Sequence, residues 1–329
     1  MSYLSMKNIA DSKKAIEWTI EYLANNGYLL HGPTEPVRIM PWSKVHRVLT
    51  HEGYVYLKQM SPPFAIEAKL VKYLSRQFGA SIPNVIAINN ALDCFLMADA
   101  GNPLRNLLKK KYPINLIGKA LDSYATFQYE AVRHVDDLLS LGVPDWRLAK
   151  LPHLYQDLIS KRELLEIEGL ELSEIDKLQN LHSNFTDLCN LLSNYKIPET
   201  IEHGDFHDNN ILIKDYHLTI NDWGDAVISQ PFFSLISLLE SASRNHKLTE
   251  KSDTYNELQA TYLNKWLEYE TKENVLKAFE LAKRLWPIKF ALSFYRITLC
   301  AGMSTLVQYK GTIAQALQTF VQAERSYCG

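Results

Sequence analysis

Asp205, Asn210 and Asp222 are the residues whose types and spacing point most directly to chemistry. They lie in His203-Gly204-Asp205-Phe206-His207-Asp208-Asn209-Asn210-Ile211-Leu212-Ile213 and in Ile220-Asn221-Asp222-Trp223-Gly224-Asp225. Two polar loops thus flank two short apolar runs, 211–213 and 218–220, which pair across the turn 214–217 as a hairpin. That hairpin brings the carboxylates and the amide to the same end. Like charges gathered there would repel and raise one another's pKa. A hard cation removes that cost, and oxygen donors of this kind suit magnesium. A second reading uses His203, Asp205 and His207, which alternate along one segment, as ligands of a transition metal in a hydrolase, with Asp222 as a further ligand. No other His-rich segment supplies the rest of such a site, and the reading leaves Lys58 and Glu67 without a role.

The order His-x-Asp, then Asn five residues after the Asp, then Asp-x-Gly one hairpin later resembles the catalytic centre of kinases. Its form here, His-Gly-Asp-x-His-x-x-Asn-Ile-Leu with Asp-Trp-Gly, is similar to the aminoglycoside phosphotransferase and choline kinase family. Protein kinases carry His-Arg-Asp and Asp-Phe-Gly instead. The resemblance implies an α+β, two-lobed protein kinase-like fold. Residues 1–98 would form a small antiparallel-sheet lobe that binds nucleotide, 99–103 a hinge, and 104–329 a mostly helical lobe with the catalytic loop and acceptor site. It implies transfer of the γ-phosphate of ATP (or GTP), with Mg2+, to a hydroxyl of a small molecule: an aminoglycoside, a choline-like compound, a sugar or an amino-alcohol. A non-catalytic nucleotide-binding module of the same fold is a further alternative.

Within that resemblance each residue has an expected part. Asp205 is the catalytic base. Asn210 and Asp222 hold the metal. His207 either stabilises the transferring phosphoryl group when protonated or merely supports the loop. His203 ties the loops together. Asp225 follows the metal motif and would favour a cationic acceptor. Trp286, Phe290, Phe294 and Tyr295 could pack a quaternary ammonium, although aromatic residues at helical spacing are more often core. Two departures from the family pattern stand out: Asn221 where an apolar strand residue is expected, and no glycines in the turn near Ser43.

The first part of the chain reads as the elements that would position these groups. A helix over 13–25, capped by Asp11 or Ser12, presents Ile16, Ile20 and Leu23 on one face. Strands are expected over 37–40, 45–49 and 54–58, with the turn 41–44 between the first two. The resemblance implies that this turn covers the triphosphate, in which case phosphate would be met by main-chain amides near Ser43 and Lys44, by the Ser43 hydroxyl or by the Lys44 charge; an ordinary turn with a solvated lysine is equally consistent. Lys58 ends the third strand. Glu67 lies beside the apolar stripe Ile66, Leu70, Leu74 and Phe78 of a helix expected over 63–78. A carboxylate at the edge of an apolar face needs a partner, and Lys58, which shares a strand face with Tyr54 and Tyr56, is the natural candidate; two unrelated surface charges, with the lysine snorkelling, are the alternative, and the resemblance implies the pairing. The resemblance adds that this lysine holds the α- and β-phosphates. Two more strands, 83–88 and 94–97, lead to the break 98–103; the resemblance implies a hinge there, with Met97 at its entrance and main-chain groups around Asp99 meeting the adenine edge, and a plain interdomain turn would use the same residues.

From 104 onward the apolar spacing is helical, over 104–111, 116–139, 151–168, 174–192, 231–243, 250–269, 272–283, 288–306 and 311–327. The net charge of -2 selects neither nucleic acid nor an anionic membrane. Cys94, Cys189, Cys300 and Cys328 are scattered with no Cys-x-x-Cys, so neither a zinc site nor a disulfide framework is indicated, and a reducing cytoplasm is expected. No leader is expected in residues 1–11. No apolar run reaches the roughly 18 residues of a spanning helix.

Overall fold

The computed structural model describes residues 12–108, 114–301 and 307–328. Asp11 as a cap, the absence of a leader in residues 1–11, and the ends of the helices expected to reach Lys111 and Leu306 lie outside them. The chain divides into two compact units. One takes in the chain up to Leu107, Asn209–Gly224 and the segment beginning at Ile297. The other takes in Leu108–Asp208, Asp225–Arg296 and the segment beginning at Leu306.

The first unit is built on a five-stranded antiparallel sheet. Its strands are β1 (Glu35–Ile39), β2 (Ser43–Thr50), β3 (Gly53–Met60), β4 (Val85–Asn89) and β5 (Cys94–Ala98), in the order β1-β2-β3-β5-β4. Alternation along β3 buries Val55 and Leu57 on one face, where they pack with Val48, Cys94 and Leu96. The helix Ser12–Asn25 covers that face with Ala15 and Leu23. Ile20 was expected on its buried stripe but is 41% exposed. The stripe runs through Ala15, Thr19 and Leu23, with Thr19 satisfying its hydroxyl on the Ala15 carbonyl at 2.8 Å. The opposite face packs Met60, Phe95 and Met97 against Phe64 and Ala68. The helix expected over 63–78 is a short 3-10 turn at Pro62–Phe64 followed by the α-helix Glu67–Phe78.

The hairpin of Asn209–Gly224 belongs to this unit. Strands Ile211–Lys214 and His217–Ile220 pair with Ile211 opposite Ile220, and Asn102–Pro103 adds a third, short strand. The turn is the two residues Asp215 and Tyr216, both at positive φ (48 and 67). That is the backbone of a type I′ hairpin, whose twist matches the strands it joins.

The second unit is mostly helical. Helices expected to be continuous are broken at Lys161 and Leu181. The opposite correction applies near the C-terminus. Lys272–Ala301 is one helix with Pro287 inside it, where the sequence indicated two. The proline removes one ladder bond, but Leu285, Ile288, Ala291 and Leu292 around it are all buried. Burial of each of the leucine and isoleucine side chains stabilises by about 1.5–3 kcal/mol, enough to carry a helix through the defect. No helix of the described residues is long and apolar enough to cross a membrane.

Candidate active site

In the first unit the third-strand lysine meets two carboxylates. Lys58 Nζ lies 2.7 Å from Glu67 Oε1 and 2.5 Å from Asp222 Oδ1. Lys58 and Glu67 are buried, whereas the Asp222 side chain is 34% exposed. Burial works to lower the Lys58 pKa, but Asp222 and Glu67 outweigh it and hold the ammonium above its ordinary value. Burial raises the Glu67 pKa; Lys58 opposes that shift without cancelling it. Glu67 Oε1 also accepts the Trp223 N–H at 3.0 Å, so one carboxylate fastens both the lysine and the loop that carries Asp222.

The loop is shaped for this. Asp222 sits at φ 68, a left-handed conformation that Asp tolerates better than most residues. Trp223 is fully buried, and its indole N–H donates to the Ile220 carbonyl at 2.8 Å. At Gly224 an added Cβ would stand 3.2 Å from Glu67 Oε2, so the glycine of Asp-Trp-Gly leaves room for the glutamate. The main-chain N–H of Asn221 donates to the Asn210 carbonyl at 2.8 Å, a bond that any residue but proline would make here, so it leaves the departure from the family pattern unexplained. That bond sets the Asn210 and Asp222 segments side by side. Their side chains offer an amide oxygen and a carboxylate, a donor set that fits a hard, oxygen-seeking cation.

In the second unit the His203–Asp208 loop is held from many sides. Gly204 has φ +86, and an added Cβ there would stand 2.3 Å from the Asp225 carbonyl oxygen, so only glycine fits. His203 is buried. Its Nδ1 accepts the Asp205 N–H at 3.3 Å, which places the proton of a neutral ring on Nε2. Phe206 stacks on Tyr124 with ring centroids 3.9 Å apart. The Asp205 side chain is 48% exposed, and its Oδ1 lies 3.3 Å from His207 Nε2. Asp208 is buried with its Oδ2 2.7 Å from His246 Nε2. Asp225 is half-buried, its main chain packed on Gly204.

Other residues singled out from the sequence are placed as follows. Ser43 opens β2 opposite Met60, and the turn before it is shorter than expected, with Met40 N–H bonded to the Ser43 carbonyl at 2.8 Å. Lys44 is not simply solvated: its Nζ donates to the Ser12 hydroxyl at 2.7 Å. Met97 is buried in β5 opposite Tyr56. Asp99 accepts the Gly101 N–H at 3.0 Å and pairs with Lys214 at 3.1 Å. Trp286, Phe290 and Phe294 form a half-buried ladder along one helix face, with centroids 5.9 and 4.9 Å apart, continued by Tyr309. Tyr295 points elsewhere, and burial and Asp157 raise its pKa. Among the described residues no group of three or more His, Cys, Asp or Glu side chains could hold a metal ion, so the transition-metal reading gains no cluster. Two residues were missed altogether, Glu202 and Lys289, a buried ion pair with N···O 2.6 Å. The signal was available as one lone charge in each of two apolar stretches, Thr200-Ile201-Glu202 and Ile288-Lys289-Phe290.

The fold is the α+β, two-lobed kinase-like one. A macrolide 2′-phosphotransferase from Brachybacterium faecium superposes with TM-score 0.59 at 12% identity, over 90% of this chain and 97% of that one. A choline/ethanolamine kinase family protein from Mesorhizobium loti gives TM-score 0.60 at 15% identity, over 93% of each. An ADP-bound aminoglycoside phosphotransferase gives 0.59 at 16%, over 93% of this chain and 98% of that one. In sequence, residues 119–277 match the model of the phosphotransferase enzyme family, APH. The resemblance drawn from the two motifs therefore holds, since that stretch contains Asp205, Asn210 and Asp222. No curated protein matches the chain.

Proposed function

We propose that this chain is a nucleotide- and Mg2+-dependent phosphotransferase that moves the γ-phosphate of ATP or GTP to a hydroxyl of a small molecule. The observation that carries the reading is Lys58, buried and charged between Glu67 and Asp222. A lysine needs only one carboxylate for neutrality. The second keeps the ammonium fixed while leaving one of its three N–H donors for a phosphate oxygen. The ADP bound to the aminoglycoside phosphotransferase of similar fold supports a nucleotide in this role.

Each residue then has a defined task. Lys58 neutralises and orients the nucleotide phosphates, and Glu67 holds Lys58. Asn210 and Asp222 hold magnesium, which when bound offsets charge on the phosphate oxygens. Asp205, half exposed on the loop, orients the acceptor hydroxyl and takes its proton. His207 keeps the Asp205 carboxylate in one orientation through its Nε2. Asp225 and the Trp286–Phe290–Phe294 ladder favour an acceptor that carries a positive charge on an apolar body.

The test is ADP release from ATP and Mg2+ by the purified chain across a panel of aminoglycosides, amino-alcohols, choline-like compounds and sugars. Acceptor-dependent ADP release that stops on chelation is expected. ATP binding with no transfer to any acceptor would overturn the reading in favour of a non-catalytic module.

A further inference from the structure

Gly204 immediately precedes Asp205, and both of its main-chain polar groups end on charged side chains. Its N–H donates to Glu202 Oε1 at 3.0 Å. Its carbonyl accepts from Lys289 Nζ at 3.2 Å. The two charges are 2.6 Å apart, and neither side chain has exposed surface. The grip extends further. Glu202 Oε1 accepts the Ser234 hydroxyl at 3.0 Å, and Ser234 Oγ is 2.8 Å from the Tyr124 hydroxyl, which accepts the His203 N–H at 3.1 Å. Burial, then the Glu202 carboxylate, raise the Tyr124 pKa well above the ordinary phenol value, so it stays a neutral hydroxyl. The Trp286 ring closes the far side of Lys289, 5.0 Å from Nζ.

Taking two charges out of water is costly, and an apolar pair of the same volume commonly holds two elements together as well or better. An apolar pair could not bond the N–H and the carbonyl of one glycine at once. Those two bonds fix the peptide planes on either side of Gly204, and the second of those planes sets where the Asp205 side chain leaves the chain. We propose that Glu202 and Lys289 are positioning residues that clamp Gly204 and so aim the Asp205 carboxylate. The clamp rests on the reading of Asp205 as proton acceptor. It adds to that reading a pair of buried charges that touch neither nucleotide nor acceptor.

Two variants test the clamp. Glu202→Gln with Lys289→Met removes both charges at nearly constant volume; the glutamine oxygen can still accept the Gly204 N–H, but the Gly204 carbonyl loses its donor. Glu202→Asp keeps both charges and shortens the reach to Gly204, so it decides the matter if the double variant does not fold. Each is measured for kcat and nucleotide KM by ADP release, and for amide hydrogen exchange in peptides covering residues 203–208. For each, kcat is expected to fall at least about tenfold with nucleotide KM within about twofold. Exchange across the loop is expected to quicken at least about tenfold. Wild-type kcat, or unchanged loop exchange, in a folded variant overturns the clamp. Absence of turnover in the wild-type chain would count against the phosphotransferase reading alone, because loop exchange still decides the clamp.

Discussion

Glu67 Oε1 accepts the main-chain N–H of Trp223 at 3.0 Å, a bond between residues 156 positions apart. The same oxygen receives Lys58 Nζ at 2.7 Å. One carboxylate therefore fixes the third-strand lysine and the Asp-Trp-Gly turn together. Removing it should have two effects. Glu67→Ala leaves Lys58 buried with one partner fewer, and loss of one member of a buried pair costs about 3–5 kcal/mol. Urea unfolding should show a loss of that order, and nucleotide binding should weaken in parallel. Unchanged stability would mean that Glu67 is not a structural anchor.

Gly204→Ala is expected to be severe. The new Cβ would stand 2.3 Å from the Asp225 carbonyl oxygen at a φ of +86. Left-handed strain alone costs about 1–3 kcal/mol, and the displaced Asp225 main chain adds to it. A drop in thermal midpoint with loss of turnover is the expected outcome.

The hairpin turn offers a change in the other direction. Tyr216 holds φ 67 and is 94% exposed, so its side chain contributes little that could repay the strained backbone. Tyr216→Gly should raise stability by about 1 kcal/mol, since glycine takes this conformation freely. Equilibrium unfolding measures it, and destabilisation would mean that the ring makes a compensating contact.

Glu199 gives the chain a pH dependence. It is half-buried, and burial lifts its pKa to about 7, against the Leu148 N–H bond at 2.6 Å and the Arg147 charge, which lower it. A carboxyl whose folded pKa lies above its unfolded value stabilises fully below the unfolded value and loses that contribution as pH rises through the folded one. Stability should therefore fall between about pH 4.5 and pH 7 by about 3 kcal/mol from this group. Glu199→Gln should flatten that slope and exceed the wild type in stability at pH 8. A wild-type slope retained in the variant would place the titration elsewhere.

How much of this was legible in the sequence depends on the range of the interaction. The Lys58–Glu67 pair was readable because period 3.6 in the helix put Glu67 beside an apolar stripe, where a carboxylate needs a partner, and the kinase-like motif downstream agreed with Lys58 as that partner. The hairpin was readable because Ile211 and Ile220 flank a polar turn, although the turn itself is only Asp215 and Tyr216. Pro287 misled, because a local rule about ladder bonds lost to packing around it. Glu202 and Lys289 stayed hidden because their pairing spans 87 positions (202 to 289) and follows no period. The Asp208–His246 contact stayed hidden for the same reason: His246 lies on a helix whose approach no local pattern records.

The measurement that bears most directly on the account is turnover and nucleotide affinity of Asp205→Asn. The amide nearly preserves the shape of the side chain and its distance to His207 but cannot accept the acceptor's proton. Loss of turnover by about a thousandfold, with nucleotide Kd within about twofold of the wild type, is the predicted result. Wild-type turnover in this variant would contradict the account.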